Sequence, residues 1–461
     1  MAEPFLLGGG PVSSLGEYRA RGGGRGLAAA SALGPTATVE EVTRSGLRGR
    51  GGGGFLTGRK WDGVRQADGG THYVVCNAAE GEPATFKDRA LMRANPYQAI
   101  EGLAIAAFCV GADSAYIGLK ASFETELAAV TGAVQQMAAG GLLGDLTVTV
   151  VAGPDEYLFG EEKALLEVIE GKDPLPRLFP PFQHGLFATG PQQGWEAMAE
   201  SGSGAPRDNP TLVNNLETLS NVPHILALGV EWFRSMGTSE SPGTICATVV
   251  GDVVHPAVLE VEMGTPLAEV LERCGGPRPG RQLKAAFSGV ANPVITPDRF
   301  PTPLTYEDMN AAGCGLGAAG FAFYDDTACM VEVTRAMSRF LYVESCGQCR
   351  SCKFGCGEIT RALERLESGA GGEIDVENIG NRLRSVTDQV RCYLATEEQV
   401  LVASMLRAFA DEFTEHLEGR CRVAVPRPIL VPKIVDLADG RVVYDAKQAR
   451  KQPDWTYSAE A

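Results

Sequence analysis

The pattern of apolar and polar positions changes character several times along the chain. Between 72 and 170, short apolar runs alternate with longer segments of helical period. Positions 72–76 (His-Tyr-Val-Val-Cys) read as a buried strand. Positions 96–110 read as a helix with Ile100, Leu103, Ile105 and Phe108 on its apolar positions, and 115–119 as a second strand. A helix is predicted over 122–140, with Ser122 as N-cap and Glu124 and Glu126 near its positive end. A strand over 146–152 follows, then a helix over 161–170 stopped by Gly171 and Pro174. Strand–helix–strand–helix–strand at these lengths predicts a parallel, right-handed α/β sheet.

Elsewhere the pattern differs. Residues 1–70 read as glycine-rich and irregular, and 192–210 as a polar surface insertion or lid. Residues 212–233 return to helical character. Short strands at 244–250, 258–261 and 319–324, with a helix over 267–274, predict a small α+β unit. From Cys329 to about 417 the period is helical, carried by Ile359, Leu363 and Leu366 and by Val402, Met405, Leu406, Phe409, Phe413 and Leu417. The last segment, with Pro426, Pro428, Pro432 and Pro453, reads as an extended tail suited to wrapping a partner. The expected parts are 1–240, 241–327, 328–422 and 423–461.

Composition narrows the classes of function. The formal net charge of −16 opposes nucleic-acid binding, which needs a basic stripe, and opposes an anionic membrane surface. The first residues lack a basic, apolar leader, and the most apolar run, 103–111, is too short to span a bilayer. A cytoplasmic protein without direct membrane insertion is expected. Glycine is 57 of 461 residues, well above the usual ~7%. The 12 cysteines are too sparse for a disulfide scaffold, but four fall between Cys346 and Cys356, which points to metal.

Cys346-Gly347-Gln348-Cys349-Arg350-Ser351-Cys352 is a C-x2-C-x2-C run, the spacing that wraps one corner of a 4Fe-4S cluster. Zinc instead favours paired C-x2-C knuckles from separate segments, and only one run is present. A cluster needs a fourth ligand, and the residues offer two: Cys356, which would share a side with the other three if the chain were helical from Cys346, and Cys392. The remaining cysteines (Cys76, Cys109, Cys246, Cys274, Cys314, Cys329 and Cys421) are expected to pack as small hydrophobes.

Gly49-Arg50-Gly51-Gly52-Gly53-Gly54 fits G-x-G-x-x-G, but no strand precedes it, so the dinucleotide fingerprint lacks its context. Bare backbone followed by Phe55 and then Lys60-Trp61 suits a planar phosphorylated cofactor. Asn77-Ala78-Ala79-Glu80-Gly81-Glu82 follows a strand's carboxyl end, where α/β folds bind ligands, though from this motif alone a turn with solvated acids reads slightly better. Gly160-Glu161-Glu162 and Asn214-Asn215 are each explained by helix starts alone.

In order along the chain, seven stretches resemble one family: 45–55 with Lys60-Trp61, 77–89, Gly160-Glu161-Glu162, Pro176-Arg177-Leu178, Pro180-Pro181-Phe182, 213–218 and 344–352. The family is the flavin-bearing, NADH-oxidising subunit of respiratory complex I, with the related diaphorase subunits of NAD-linked formate dehydrogenases and hydrogenases. The resemblance implies an α/β fold: an FMN-binding parallel-sheet domain, a small β-grasp domain of soluble-ligand-binding type, and a C-terminal helical bundle holding one 4Fe-4S cluster. It implies cluster ligands at Cys346, Cys349, Cys352 and Cys392. It places FMN at Gly49, Gly51, Gly52, Gly53, Lys60, Asn77, Glu80, Gly160, Glu161, Asn214 and Asn215. It places NAD(H) near Phe55, Glu82, Glu162 and Phe182. Implied partners are a thioredoxin-like 2Fe-2S subunit and further iron–sulfur or catalytic subunits of a redox complex. Ala79, Phe179 and Gly63 depart from the family's aspartate, lysine and aromatic residue. These departures motivate an alternative, an FMN/4Fe-4S relay that has lost NADH oxidation and serves another donor or acceptor.

Overall fold

The computed structural model describes residues 4–190, 207–389, 391–423 and 427–459. The chain divides into two compact units. One comprises Met1–Gly81, Lys87–Cys246 and Glu260–Gly264, the other Glu82–Phe86, Ala247–Leu259 and Thr265–Ala461.

The first unit is built on a parallel sheet of β1 (Tyr73–Asn77), β2 (Ser114–Lys120), β3 (Thr147–Gly153) and β4 (Thr211–Asn215), in the order β3-β2-β1-β4. Val74, Val75 and Cys76 of β1 are fully buried, the continuous apolar run of a strand covered on both faces. The helix Pro96–Val110 matches its prediction, except that Phe108 is 38% exposed rather than packed. From β1 the chain moves outward to β2 and β3, then returns to the other side of β1 to form β4. The strand order therefore reverses between β1 and β4, whose last residues, Asn77 and Asn215, are register partners.

Three expectations for this unit are corrected. Residues 1–70 are not irregular: they hold helices Leu15–Ala20, Arg25–Leu33, Pro35–Ser45 and Thr57–Arg65. Glycine here punctuates short helices. Gly34, at φ +83 and ψ 165, ends one and begins the next, a region open almost only to glycine that costs other residues about 1–3 kcal/mol. The 122–140 helix starts at Glu124, with Phe123 at the cap, because the Ser122 hydroxyl bonds the Asp155 carboxylate instead. The helical reading of 212–233 hid β4, which runs without a turn signal into helix Leu216–Leu228, Asn215 ending one and capping the other. Residues 191–206, most of the expected insertion, lie outside the described residues.

A mixed sheet of β5 (Thr244–Gly251), β6 (Ala257–Glu262), β7 (Leu283–Ser288) and β8 (Gly320–Asp325), in the order β6-β5-β8-β7, falls largely in the second unit, with the helix Leu267–Arg273. The alanine-rich β7 gave no strand signal, and its antiparallel pairing with β8 overrides local preference. Five helices follow: Met330–Glu344, Arg350–Glu367, Glu373–Ser385, Leu394–Ala408 and Ala410–Leu417. Ile359, Leu363, Leu366, Val402 and Met405 are fully buried, as the period requires.

The extended tail is also corrected. Residues 434–444 form a hairpin of β9 (Ile434–Ala438) and β10 (Arg441–Tyr444). Beyond it, Lys451 pairs with Glu344 at 2.9 Å, both fully buried, and the Trp455 indole donates to the Val343 carbonyl at 3.0 Å. The proline count masked the alternation of 434–444 and this distant ion pair. Pro426 lies outside the described residues.

Candidate functional site

The carboxyl ends of β1 and β4 form the switch point of the parallel sheet, where open α/β sheets bind ligands. Each group there is held by its neighbours. Asn77 Nδ2 donates to the Gly160 carbonyl at 2.7 Å and its Oδ1 accepts the Ala79 amide at 3.2 Å. The buried Trp61 indole donates to Asn214 Oδ1 at 2.8 Å. Asn215 Oδ1 accepts the Glu217 amide at 3.0 Å, capping the helix, while its Nδ2 donates to Asp88 Oδ2 at 2.7 Å.

The glycine run is a tight hairpin rather than a loose loop. Arg48 and Leu56 form an antiparallel bridge, Gly49 N donates to Phe55 O at 2.8 Å, and Gly52 turns at φ +114. Its one long side chain is withdrawn. Arg50 is fully buried, its guanidinium bonding the carbonyls of Pro242 and Thr244, both at 3.1 Å, and its amide donating to Thr218 Oγ1 at 2.8 Å. What remains is bare backbone. A Cβ on Gly51 would meet Asn215 Cβ at 3.0 Å, so the hairpin approaches the end of β4 closely, whereas a Cβ on Gly53 would meet nothing within 4 Å. A cradle with one tight and one open glycine beside the switch point fits a flat aromatic ring system carrying phosphate.

Behind the cradle lies a buried charge network absent from the sequence reading. Lys87 Nζ pairs with Glu217 at 2.8 Å and Asp88 at 2.9 Å and reaches Asn215 Oδ1 at 3.2 Å. Burial opposes the Lys87 charge, but Asp88, Glu217 and Glu80 outweigh it and hold its pKa above the usual lysine value. Glu80 accepts the Asp88 amide at 3.0 Å, and burial, with the Asp88 charge, pushes its carboxyl up to about 7. In the sequence these residues stood out only as members of the 77–89 and 213–218 stretches, with Glu80 and Asn215 among the FMN positions; nothing linked them as a charge network.

Further round, Lys60 Nζ pairs with Glu162 at 2.9 Å, both part-exposed. Glu161 caps helix Glu162–Ile169 through the amides of Lys163 and Ala164, each at 3.0 Å, and burial pushes its carboxyl up to about 7. A Cβ on Gly160 would meet the Ala79 carbonyl at 3.2 Å, and Ala79 itself is buried in the core beside Phe159. Phe55 and Phe182 are 60% and 51% exposed, free apolar faces on the surface of this unit. Glu82 belongs to the second unit, where its carboxylate accepts the Val290 amide at 2.6 Å.

The cysteine run starts after helix Met330–Glu344 and ends inside the first turn of helix Arg350–Glu367, which holds Cys352. The second helix starts at Arg350 with Cys349 as its N-cap, so the premise of a helix from Cys346 is corrected. Cys346, Cys349, Cys352 and Cys392 are half-buried, while Cys356 is fully buried. Cys352 and Cys356, one turn apart, share a hydrogen bond that holds the Cys352 thiol below its usual pKa and raises that of Cys356. The Cys349 sulfur accepts the Arg391 amide, which brings the 391–392 segment to the run. Lys353 Nζ donates to the Ser345 and Pro453 carbonyls at 2.7 and 2.6 Å. Three thiols on one short turn, with an amide donor on one sulfur, fit the donor set of an iron–sulfur cluster. Six of the seven other cysteines are buried as expected, and Cys421 is exposed, a correction taken up below.

Comparisons with known proteins agree with this layout. Residues 42–224 match the Nuo51 FMN-binding domain, 246–287 the SLBB domain, and 332–416 the NADH-ubiquinone oxidoreductase-F iron–sulfur binding region. The chain is 38% identical to the second NADH-quinone oxidoreductase F subunit of Rhizobium meliloti, over 91% of this chain and 99% of that protein. It is 37% identical to the corresponding F subunit of Streptomyces coelicolor, over 88% and 89%. A solved NAD+-reducing NiFe-hydrogenase in the H2-reduced state superposes with a TM-score of 0.74 at 30% identity. That match covers 85% of this chain but only 64% of the hydrogenase chain. The chain therefore belongs to the family of NADH-quinone oxidoreductase F subunits, with its FMN-binding and 4Fe-4S-binding regions.

Proposed function

We propose that this chain is the NADH-oxidising, electron-entry subunit of a multi-subunit redox complex. The observation that carries this reading is the bare-glycine hairpin at the β1/β4 switch point, kept clear because Arg50 is drawn into the core. Gly49, Gly51, Gly52 and Gly53, with Asn77, Asn214 and Asn215, would hold FMN, and Lys60 would supply positive charge at its phosphate or its ring edge. Glu80, Gly160 and Glu161 complete the surround, the two carboxyl groups raised by burial toward neutral pH. Cys346, Cys349, Cys352 and Cys392 would ligate the cluster. The Arg391 amide at the Cys349 sulfur favours Cys392 as the fourth ligand, and leaves Cys356 as a hydrogen-bond partner of Cys352.

When bound, the flavin accepts hydride from a nicotinamide, and the cluster carries electrons singly. The protein's part is placement. Phe55 and Phe182 offer exposed apolar faces for the dinucleotide, and the Lys60–Glu162 pair sets the charge at its edge. The hydride step itself would need no proton-transfer residue, and the proton left behind when the two electrons depart singly would go to solvent.

The four-part division into 1–240, 241–327, 328–422 and 423–461 belongs to the same proposal, as do a thioredoxin-like 2Fe-2S partner and a cytoplasmic location. Among the described residues no helix is long and apolar enough to cross a membrane. Anaerobic mixing of the purified holoprotein with NADH tests the reading. Rapid loss of flavin absorbance at micromolar NADH is expected. A flavin that stays oxidised under NADH, yet bleaches with dithionite, overturns it in favour of the relay alternative.

A further inference from the structure

We propose that Cys329, His416 and Cys421 form a second metal site, separate from the cysteine run, for a borderline-soft divalent cation of the zinc type. Their three ligand atoms lie within 4.8 Å of one another. Cys329 Sγ is 3.3 Å from His416 Nε2. Two ligands at about 2.3 and 2.05 Å from one tetrahedral zinc stand roughly 3.5 Å apart, so this pair already has the separation a shared ion imposes.

The imidazole is set up to ligate. His416 Nδ1 lies 3.2 Å from the Leu366 carbonyl, which can only accept. That contact places the proton on Nδ1 and turns the Nε2 lone pair toward the Cys329 sulfur. A ring nitrogen bonded to a backbone carbonyl behind a ligating imidazole is the usual support of a histidine metal ligand.

The donors come from elements fixed independently of any ion. Cys329 is the N-cap of helix Met330–Glu344; burial raises its thiol pKa above the ordinary value, and the amides of Glu332 and Val331 at the helix start partly oppose this. His416 lies in the last turn of helix Ala410–Leu417, and Cys421 in the loop after it. Glu412, one turn before His416, is already engaged: its carboxylate accepts the Met330 amide at 3.1 Å and pairs with Lys284 at 2.5 Å. Cys329 and His416 are buried and Cys421 is exposed, so the site opens on the Cys421 side. Two thiolates and one imidazole leave the fourth tetrahedral position to water or an exchangeable donor. Binding releases one proton from each thiol to solvent. The ion would cross-link the start of one bundle helix to the end of another.

The test uses the full chain with FMN and cluster, purified under reductant, incubated with zinc and desalted. Zinc and iron are counted in the same sample. The expected result is roughly one zinc per chain with iron unchanged, and a zinc-edge absorption spectrum showing two sulfurs at about 2.3 Å with lighter donors at about 2.05 Å. Cys421→Ser and His416→Gln should each lose at least about ten-fold in zinc retention, or ~1.4 kcal/mol, at unchanged iron. Cys421 is exposed, so its variant decides the matter if the buried His416 variant does not fold. Wild-type protein without zinc, zinc retained by Cys421→Ser, zinc gained only at the expense of iron, or a Cys329–Cys421 disulfide in peptide maps overturns the proposal.

Discussion

The cradle and the cysteine run are built on opposite plans. Around the glycine hairpin almost every polar group already has a protein partner: Arg50 with two carbonyls, Trp61 with Asn214, Lys87 with two carboxylates. The shape exists before anything occupies it. The thiols of the run and Cys392 are half-exposed, and the bonds to the run end on sulfur: from the Arg391 amide to Cys349, from Gln348 to Cys346, and between Cys352 and Cys356. A pre-formed site binds by complementarity, whereas a cluster site takes much of its order from the metal–sulfur bonds.

The contrast can be broken by experiment. The largest effect is expected from Cys352→Ser: loss of the cluster's iron and its broad visible absorbance, with FMN content unchanged. If FMN is lost as well, the two sites are not independent. Next is Lys87→Met, which leaves Glu217 and Asp88 buried without their cation. Urea unfolding should show a loss of about 3–5 kcal/mol. A loss below ~1 kcal/mol would mean that the cradle does not rest on that network.

Gly53→Ala is a finer probe. Its Cβ meets nothing within 4 Å in the protein, so stability without FMN should change by no more than ~0.5 kcal/mol. If flavin lies against the hairpin, equilibrium titration should show FMN affinity falling about ten-fold, or ~1.4 kcal/mol. Unchanged affinity places the flavin elsewhere.

The smallest effect concerns Glu161. Its folded pKa of about 7 lies above the ordinary glutamate value, so the folded state binds the proton more tightly. Stability from this group is full below about 4.5 and is lost as pH rises through about 7. The side chain is 21% exposed, so the size is of the order of 1 kcal/mol. Thermal unfolding without FMN should show a decline in stability from pH 5 to 7.5 that is shallower in Glu161→Gln.

Much of the architecture was legible because its signals are local. β1 to β3 and the helix Pro96–Val110 follow from apolar runs bounded by turn residues. β4 was not, because five residues leading straight into a helix leave no punctuation. The glycine run and the thiols were legible as chemistry, but their surroundings were not. Arg50 among glycines reads as an exposed cation, and only carbonyls more than 190 residues away along the chain make it a buried brace. Trp61 and Asn214, 153 positions apart, carry no trace of each other in local pattern. His416 gave no metal signal either, because Cys329 lies 87 positions before it.

The buried Lys451–Glu344 pair has a consequence for biosynthesis. Glu344 ends the helix that leads into the cysteine run, and its carboxylate is also bonded by Gln448 at 2.9 Å. Until 448–451 have been made, that acid lacks the Lys451 ammonium and the Gln448 amide that meet it in the interior. At a translation rate of about 5–20 residues per second, the run must wait roughly 5–20 s after Cys346 for its strap. A nascent chain stalled before Gln448 would present its thiols without the contacts that this late segment makes to Glu344.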